Sequence, residues 1–271
     1  MPNLTSSLDI IINVLSNIGD LPVEILHRLI FSSLIKAGLS LFNAQKEQEI
    51  EFEKLIQTIP TSYRGLVNGK LYINSLHFIK TFKNLLKNTD RFPIMKEANI
   101  HYVIQFLEDK VGRVDVIFVL DCASVPEIIA LASKFVTLNH NVIILNEIFI
   151  NPVGVTQFLT RQLESFGREA YLRQYAEILK ERLKAKISIK SSTIDLLTHT
   201  YGFDLNNFLN FLEMRRLFDQ INHFAKQNSV LITSDHGYDV VADKHGLYIT
   251  HGYKGECPLN FSKLALFLTI D

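Results

Sequence analysis

Cysteine is scarce in this chain: there are two among 271 residues, Cys122 and Cys257, and they do not form a Cys-x-x-Cys pair. Nothing here signals a zinc-thiolate site, and two cysteines in so long a chain do not make a disulfide scaffold. A reducing, intracellular and cytoplasmic setting is the expectation. Net charge is lacking too. Lys plus Arg is 28 and Asp plus Glu is 28, which gives no ground for a bulk nucleic-acid or anionic-membrane binder. No uncharged apolar run reaches the length of a membrane span, so no membrane partner is expected. Met1 to Ile12 holds Asp9 and no basic stretch, unlike a signal peptide. Internal repeats and low-complexity tracts are absent as well.

Apolar residues, by contrast, make up 47% of the chain. That argues for a substantial core and against disorder. The length suits one large domain, or a catalytic domain with a smaller companion.

The first part, residues 1–111, reads as a helical region. Leu8, Ile11, Ile12, Leu15 and Ile18 recur at helical spacing before Gly19, and Asp20-Leu21-Pro22 starts a second helix running to Leu39. Gln45–Gln57 is charged and amphipathic. Pro60–Lys70 reads as a loop from its Pro, Gly, Asn and Ser. Helices are expected over Ser75–Lys87 and Lys96–Lys110, broken by Asn88–Pro93.

From residue 112 the character changes. Val114–Leu120 is a β-branched apolar run that reads as a buried parallel strand. Pro126–Leu138 follows as a helix and Asn141–Leu145 as a strand. Val155–Lys186 reads as helical with an interruption at Gly167, Ile187–Ile194 as a strand and Leu205–Gln227 as one amphipathic helix. Val230–Thr233, Leu247–Thr250 and Leu264–Ile270 are further strands. Alternating strands and helices predict an α/β fold, a mostly parallel sheet sandwiched by helices, preceded by the helical region. The division expected is 1–111 and 112–271.

In such sheets ligands bind beyond the carboxyl ends of the strands. Asp121 stands at one such end, Asp195 and His199 after another, Asp235-His236 after a third and His251 after a late one. Asp195 and His199, four apart, share one face of a helical turn. Gly237 lets the backbone bend away after Asp235-His236. Carboxylate with neutral imidazole suits zinc or manganese rather than calcium. Each piece alone has an ordinary reading, as a helix cap or a satisfied histidine; their order carries the signal.

That order resembles the alkaline phosphatase superfamily, and most of all its PglZ-type domains. The matching segments are Val119-Leu120-Asp121, Asp195-Leu196-Leu197-Thr198-His199, Thr233-Ser234-Asp235-His236-Gly237, and Thr250-His251-Gly252 with Glu256 and Pro258 beyond. The resemblance covers about residues 112–271. It implies an alkaline phosphatase-like core and two divalent metals, zinc first and manganese second. Asp195, His199 and His251 would hold one, and Asp121, Asp235 and His236 the other. It also implies a hydroxyl nucleophile at a helix N-terminus. Thr156, in Asn151-Pro152-Val153-Gly154-Val155-Thr156, is the candidate, with Thr160 and Ser124 behind it.

The activity implied is a metal-dependent phosphohydrolase, a phosphodiesterase or phosphatase, acting on a phosphate ester such as a nucleotide or oligonucleotide. Lys244, His245 and Lys254 are candidates to touch the substrate; their ordinary reading is solvated loop charge. The pattern also departs from the superfamily. Arg161 replaces its Gly, and Cys122-Ala-Ser-Val lacks the sulfatase signature. Only 38 residues, 157–194, separate Thr156 from Asp195, little room for a mutase's clamping domain. The alternative function is an interaction module of a defence or signalling complex, keeping metal with little turnover and meeting protein partners through the N-terminal helices.

Overall fold

The computed structural model describes residues 4–16, 18, 20–42, 45–68, 80, 81, 83, 84, 86, 87, 99–145 and 149–271. Near its start lie helices α1 (Leu4–Ser16), α2 (Val23–Leu39), α3 (Lys46–Gln57) and α4 (Thr61–Asn68). The last of these corrects the loop expected over 60–70. Pro60 precedes the helix, where its missing N–H is harmless, and its carbonyl accepts Tyr63 N at 2.9 Å. Arg64 then ties the helix to the end of α3, donating to the carbonyls of Ile59 and Gln57 at 3.0 and 2.7 Å. Of the helix expected over 75–87, residues 80, 81, 83, 84, 86 and 87 are described and helical. The break at 88–93 lies outside the described residues. Helix α5 (Ile100–Lys110) is capped by the Asn99 side chain.

The centre is a five-stranded sheet in the order β2-β10-β5-β1-β4, formed by β1 (Val116–Leu120), β2 (Val142–Ile144), β4 (Ile187–Ser191), β5 (Val230–Thr233) and β10 (Phe267–Ile270). β1 runs parallel to β4 and β5, while β10 is antiparallel to β5 and β2. Four strands therefore share one direction. All five residues of β1 are buried. Val116, Phe118 and Leu120 enter one core cluster, and Ile117 and Val119 the other, so both faces need cover. On the first face lie α6 (Val125–Thr137) and α11 (Met214–Ala225), with α1 and α2 packed on α6; on the second lie α8 (Leu172–Arg182) and α5. The N-terminal helices thus share one apolar cluster with the sheet.

Several elements are cut differently from the expectation. The segment over 155–186 comprises α7 (Thr156–Thr160), a 3₁₀ turn (Arg161–Phe166) closed by Gly167 at φ 66°, and α8. The strand expected over 187–194 stops at Ser191, because α9 (Thr193–Tyr201) begins there. The long helix over 205–227 is two, α10 (Leu205–Phe211) and α11, broken at Leu212. Leu212 and Met214 are both buried, whereas one continuous helix would set residues two apart at roughly 200° around its axis.

The late strands also divide. β6 (Asp239–Asp243), β7 (Gly246–Thr250) and β8 (Leu259–Asn260) form a separate antiparallel sheet, and β3 (Phe149–Ile150) pairs with β9 (Leu264–Ala265). No helix among the described residues is long and apolar enough to cross a membrane.

Candidate metal centre

β5, β1 and β4 are parallel neighbours, so their carboxyl ends deliver polar residues side by side. Asp121 follows β1, Asp235-His236 follow β5 by one residue, and Asp195 stands in the first turn of α9 after β4. His199 is one turn further along α9. His251 comes from the other sheet, just past β7. One short contact brings it in. Gly202, at the end of α9, accepts Ile249 N at 2.5 Å. A Cβ on Gly202 would lie 2.4 Å from the Ile249 carbonyl, so only glycine lets the α9 terminus and β7 meet this closely.

The result is two abutting triads. The ligand atoms of Asp121, Asp235 and His236 lie within 4.8 Å of one another and all three residues are buried; those of Asp195, His199 and His251 meet the same distance nearer the surface. Ligand atoms of one tetrahedral zinc stand roughly 3.4 Å apart, so small side-chain movements close either set on an ion. The His236 and His251 rings, one from each triad, have centroids 4.9 Å apart.

Protonation suits a cation. His236 Nδ1 lies 2.8 Å from the Gly237 carbonyl, which can only accept. Nδ1 therefore carries the proton, and Nε2 turns its lone pair to the site. Burial pushes the Asp235 carboxyl up; His236 opposes this, and the Asp121 charge adds to it. Asp235 Oδ2 is buried with no hydrogen-bond partner, an arrangement costly without a cation. Burial, with His236 and His199 as neighbours, holds His251 below the usual histidine range, against the pull of Asp195 and Gly154. A metal needs that neutral imidazole. His199 and His251 Nε2 atoms stand 3.1 Å apart, and Asp195 Oδ1 lies 3.4 and 3.7 Å from them.

Thr156 meets the buried triad. Its hydroxyl donates to Asp121 Oδ1 at 3.3 Å and lies 3.1 Å from His236 Nε2. Thr156 does begin a helix, but one of five residues, whose end carries little of the field of a longer helix. Thr160 turns its hydroxyl back to the Thr156 carbonyl at 3.2 Å. Ser124 is the N-cap of α6 and lies behind Gly237. Lys244 and His245 occupy the turn of the β6–β7 hairpin, at the opposite end of β7 from His251. The five-residue strand between them spans about 16 Å. Lys254 is exposed, three residues past His251.

Three residues at the centre are not among the site residues expected from the sequence. Lys190, near the end of β4, ion-pairs with Asp121 Oδ2 at 3.0 Å. Cys122 has a left-handed backbone, φ 64°, and its sulfur groups with Asp195 and His236 within 4.8 Å. Burial, reinforced by Asp235 and Asp195, raises its thiol far above the usual range. Asn151 is fully buried and organises the loop before Thr156. Its Oδ1 accepts from Val153, Gly154 and Val155 N, and its Nδ2 donates to the Val155 and Asp235 carbonyls. Asn-Pro-Val-Gly carries the one available signal, turn chemistry that favours an Asx-type bend. Compared with known proteins, the chain matches no protein-family model and no curated protein.

Proposed function

We propose that this chain is a metal-dependent phosphohydrolase, a phosphodiesterase or phosphatase with an alkaline phosphatase-like core and Thr156 as its nucleophile. One observation carries the reading: the Thr156 hydroxyl touches both Asp121 and His236 beside two abutting triads of metal-type ligands. Asp121, Asp235 and His236 would hold one divalent cation, and Asp195, His199 and His251 a second, with zinc favoured by the imidazole-carboxylate set. Bound cations there supply Lewis-acid stabilisation and lower the pKa of a coordinated hydroxyl or water.

The protein's own groups do the rest. Thr156 Oγ1 bonds to phosphorus as the ester's leaving oxygen departs, and its proton leaves through Asp121 Oδ1, which already accepts it. From Asp121 that proton passes to the departing ester oxygen; water then attacks phosphorus, the bond to Thr156 Oγ1 breaks, and a water proton returns to Oγ1 by the same carboxylate. An open cavity of about 470 Å³ is lined by Val153, Val155, Gln157, Phe158 and Arg161, residues that flank Thr156 in the chain, and is the place we assign to the alcohol part of an ester. An open site of this kind suits an accessible ester, a nucleotide or oligonucleotide diester.

The test is cleavage of a nitrophenyl phosphate diester and monoester with added zinc or manganese. Asp235→Asn and His236→Ala should abolish it; full residual activity in both sinks the mechanism. Stoichiometric zinc with no turnover of either ester supports the interaction-module reading instead.

A further inference from the structure

We propose that Lys190, seated on Asp121 beside Thr156, is the substrate-anion clamp of this centre and takes a phosphoryl oxygen when a cation holds Asp121. The inference rests on the phosphohydrolase reading and names a residue for it. Among the described ion pairs, Lys190–Asp121 is the one that joins a Lys or Arg to a candidate metal ligand. Its geometry is that of a gate: Lys190 keeps 28% of its side-chain surface exposed against 8% for Asp121, so the ammonium stands between the buried carboxylate and solvent. Its backbone is fixed by sheet register, Lys190 opposite Val119 on β1, while its four-carbon stem leaves the charge free to re-aim. Ser192 Oγ accepts its second hydrogen bond, keeping the ammonium at the mouth.

A divalent cation on Asp121 and an ammonium on the same carboxylate repel each other. Lys190 and Thr156 share the Asp121 carboxylate, one on Oδ2 and the other on Oδ1, so an ammonium displaced by a cation stands within reach of the anion that Thr156 attacks. Lys244 and His245 cannot serve, since the hairpin carries them away from the centre.

The experiment compares the full-length wild type with Lys190→Met and Lys190→Arg. Zinc affinity is measured by calorimetry, and then inorganic phosphate affinity of the zinc-loaded proteins. Melting curves establish that the variants fold. The expected result is that Lys190→Met binds zinc at least as tightly as the wild type, while its phosphate affinity falls about tenfold or more, as for loss of one charge-assisted hydrogen bond. Lys190→Arg should restore most of the phosphate affinity. Unchanged phosphate affinity in Lys190→Met, or weaker zinc binding, overturns the clamp and leaves the phosphohydrolase reading standing. Absence of zinc binding in the wild type overturns both.

Discussion

The side-chain amide of Asn151 donates to the backbone carbonyl of Asp235 at 3.2 Å, spanning 84 residues of sequence. One buried side chain thereby joins the loop that carries Thr156 to the turn that carries Asp235 and His236. Gly154 makes the same loop tight: its φ is +67°, and a Cβ there would meet Ser262 Oγ at 2.7 Å. Replacing Asn151 by Ala removes the side-chain donor to the Asp235 carbonyl and the side-chain acceptor of the Val153 and Val155 N–H groups, while Gly154 N–H keeps the Asn151 carbonyl at 3.0 Å. We expect a loss of about 1–3 kcal/mol in urea unfolding and weaker zinc binding at the buried triad by calorimetry. A zinc affinity equal to wild type would show that Asn151 serves stability alone.

Thr156 offers a cleaner separation of chemistry from structure. Its hydroxyl contacts two candidate ligands but contributes little packing, being only partly buried. Thr156→Ala should retain the wild-type melting temperature within a few degrees and still bind zinc. Its ester cleavage should fall by about 10³-fold or more, with Thr156→Ser keeping much of the rate. Steady-state kinetics on the nitrophenyl diester decide this. An Ala variant with unchanged kcat would remove Thr156 from the mechanism.

Part of this centre is legible in the sequence for a simple reason. A parallel strand covered on both faces is an unbroken apolar run, and the polar residues after it stand at the sheet's carboxyl edge. Asp121 after Val116–Leu120 and Asp235 after Val230–Thr233 follow that rule. Lys190 does not. It lies within the edge strand β4, whose pattern is only half buried, and nothing local ties it to Asp121, 69 residues earlier. β6 is hidden in a similar way. It begins and ends with Asp, so its period is masked, and register with β7 decides it. The break between α10 and α11 depends on burying both Leu212 and Met214, a tertiary demand that periodicity within 205–227 does not express.

His27 on α2 and Glu127 on α6 are 2.6 Å apart and fully buried, and Tyr238 donates to the same Glu127 oxygen at 2.7 Å. This network crosses from the N-terminal helices to the residue two beyond His236. His27→Phe keeps a ring beside Phe31 but removes one partner of a buried carboxylate. A stability loss of about 1–3 kcal/mol is expected. The excised fragment 112–271 should do worse, since it strips α1 and α2 from Ile128, Ile129 and their neighbours in a shared core. Circular dichroism of that fragment should show no cooperative unfolding transition; a sharp one would establish 112–271 as an independent domain.

Asp239 gives the protein a pH dependence separate from its chemistry. It lies in the middle strand of the small sheet, where its Oδ1 accepts Ser262 N at 3.0 Å. Burial pushes its carboxyl up to about 6, with the Ser262 hydrogen bonds opposing. A raised folded-state value means that the folded form favours the protonated acid. The stability this gives is fully present below the unfolded value of 3.8 and is lost as pH rises through about 6. The gap between 3.8 and about 6 corresponds to roughly 3 kcal/mol at most. Asp239→Asn keeps an acceptor for Ser262 N and carries no charge. Urea unfolding at pH 4, 6 and 8 should therefore show the variant gaining on the wild type by up to about 3 kcal/mol across that range. A difference that stays constant with pH would mean that Asp239 ionises in the folded protein as freely as in the unfolded chain.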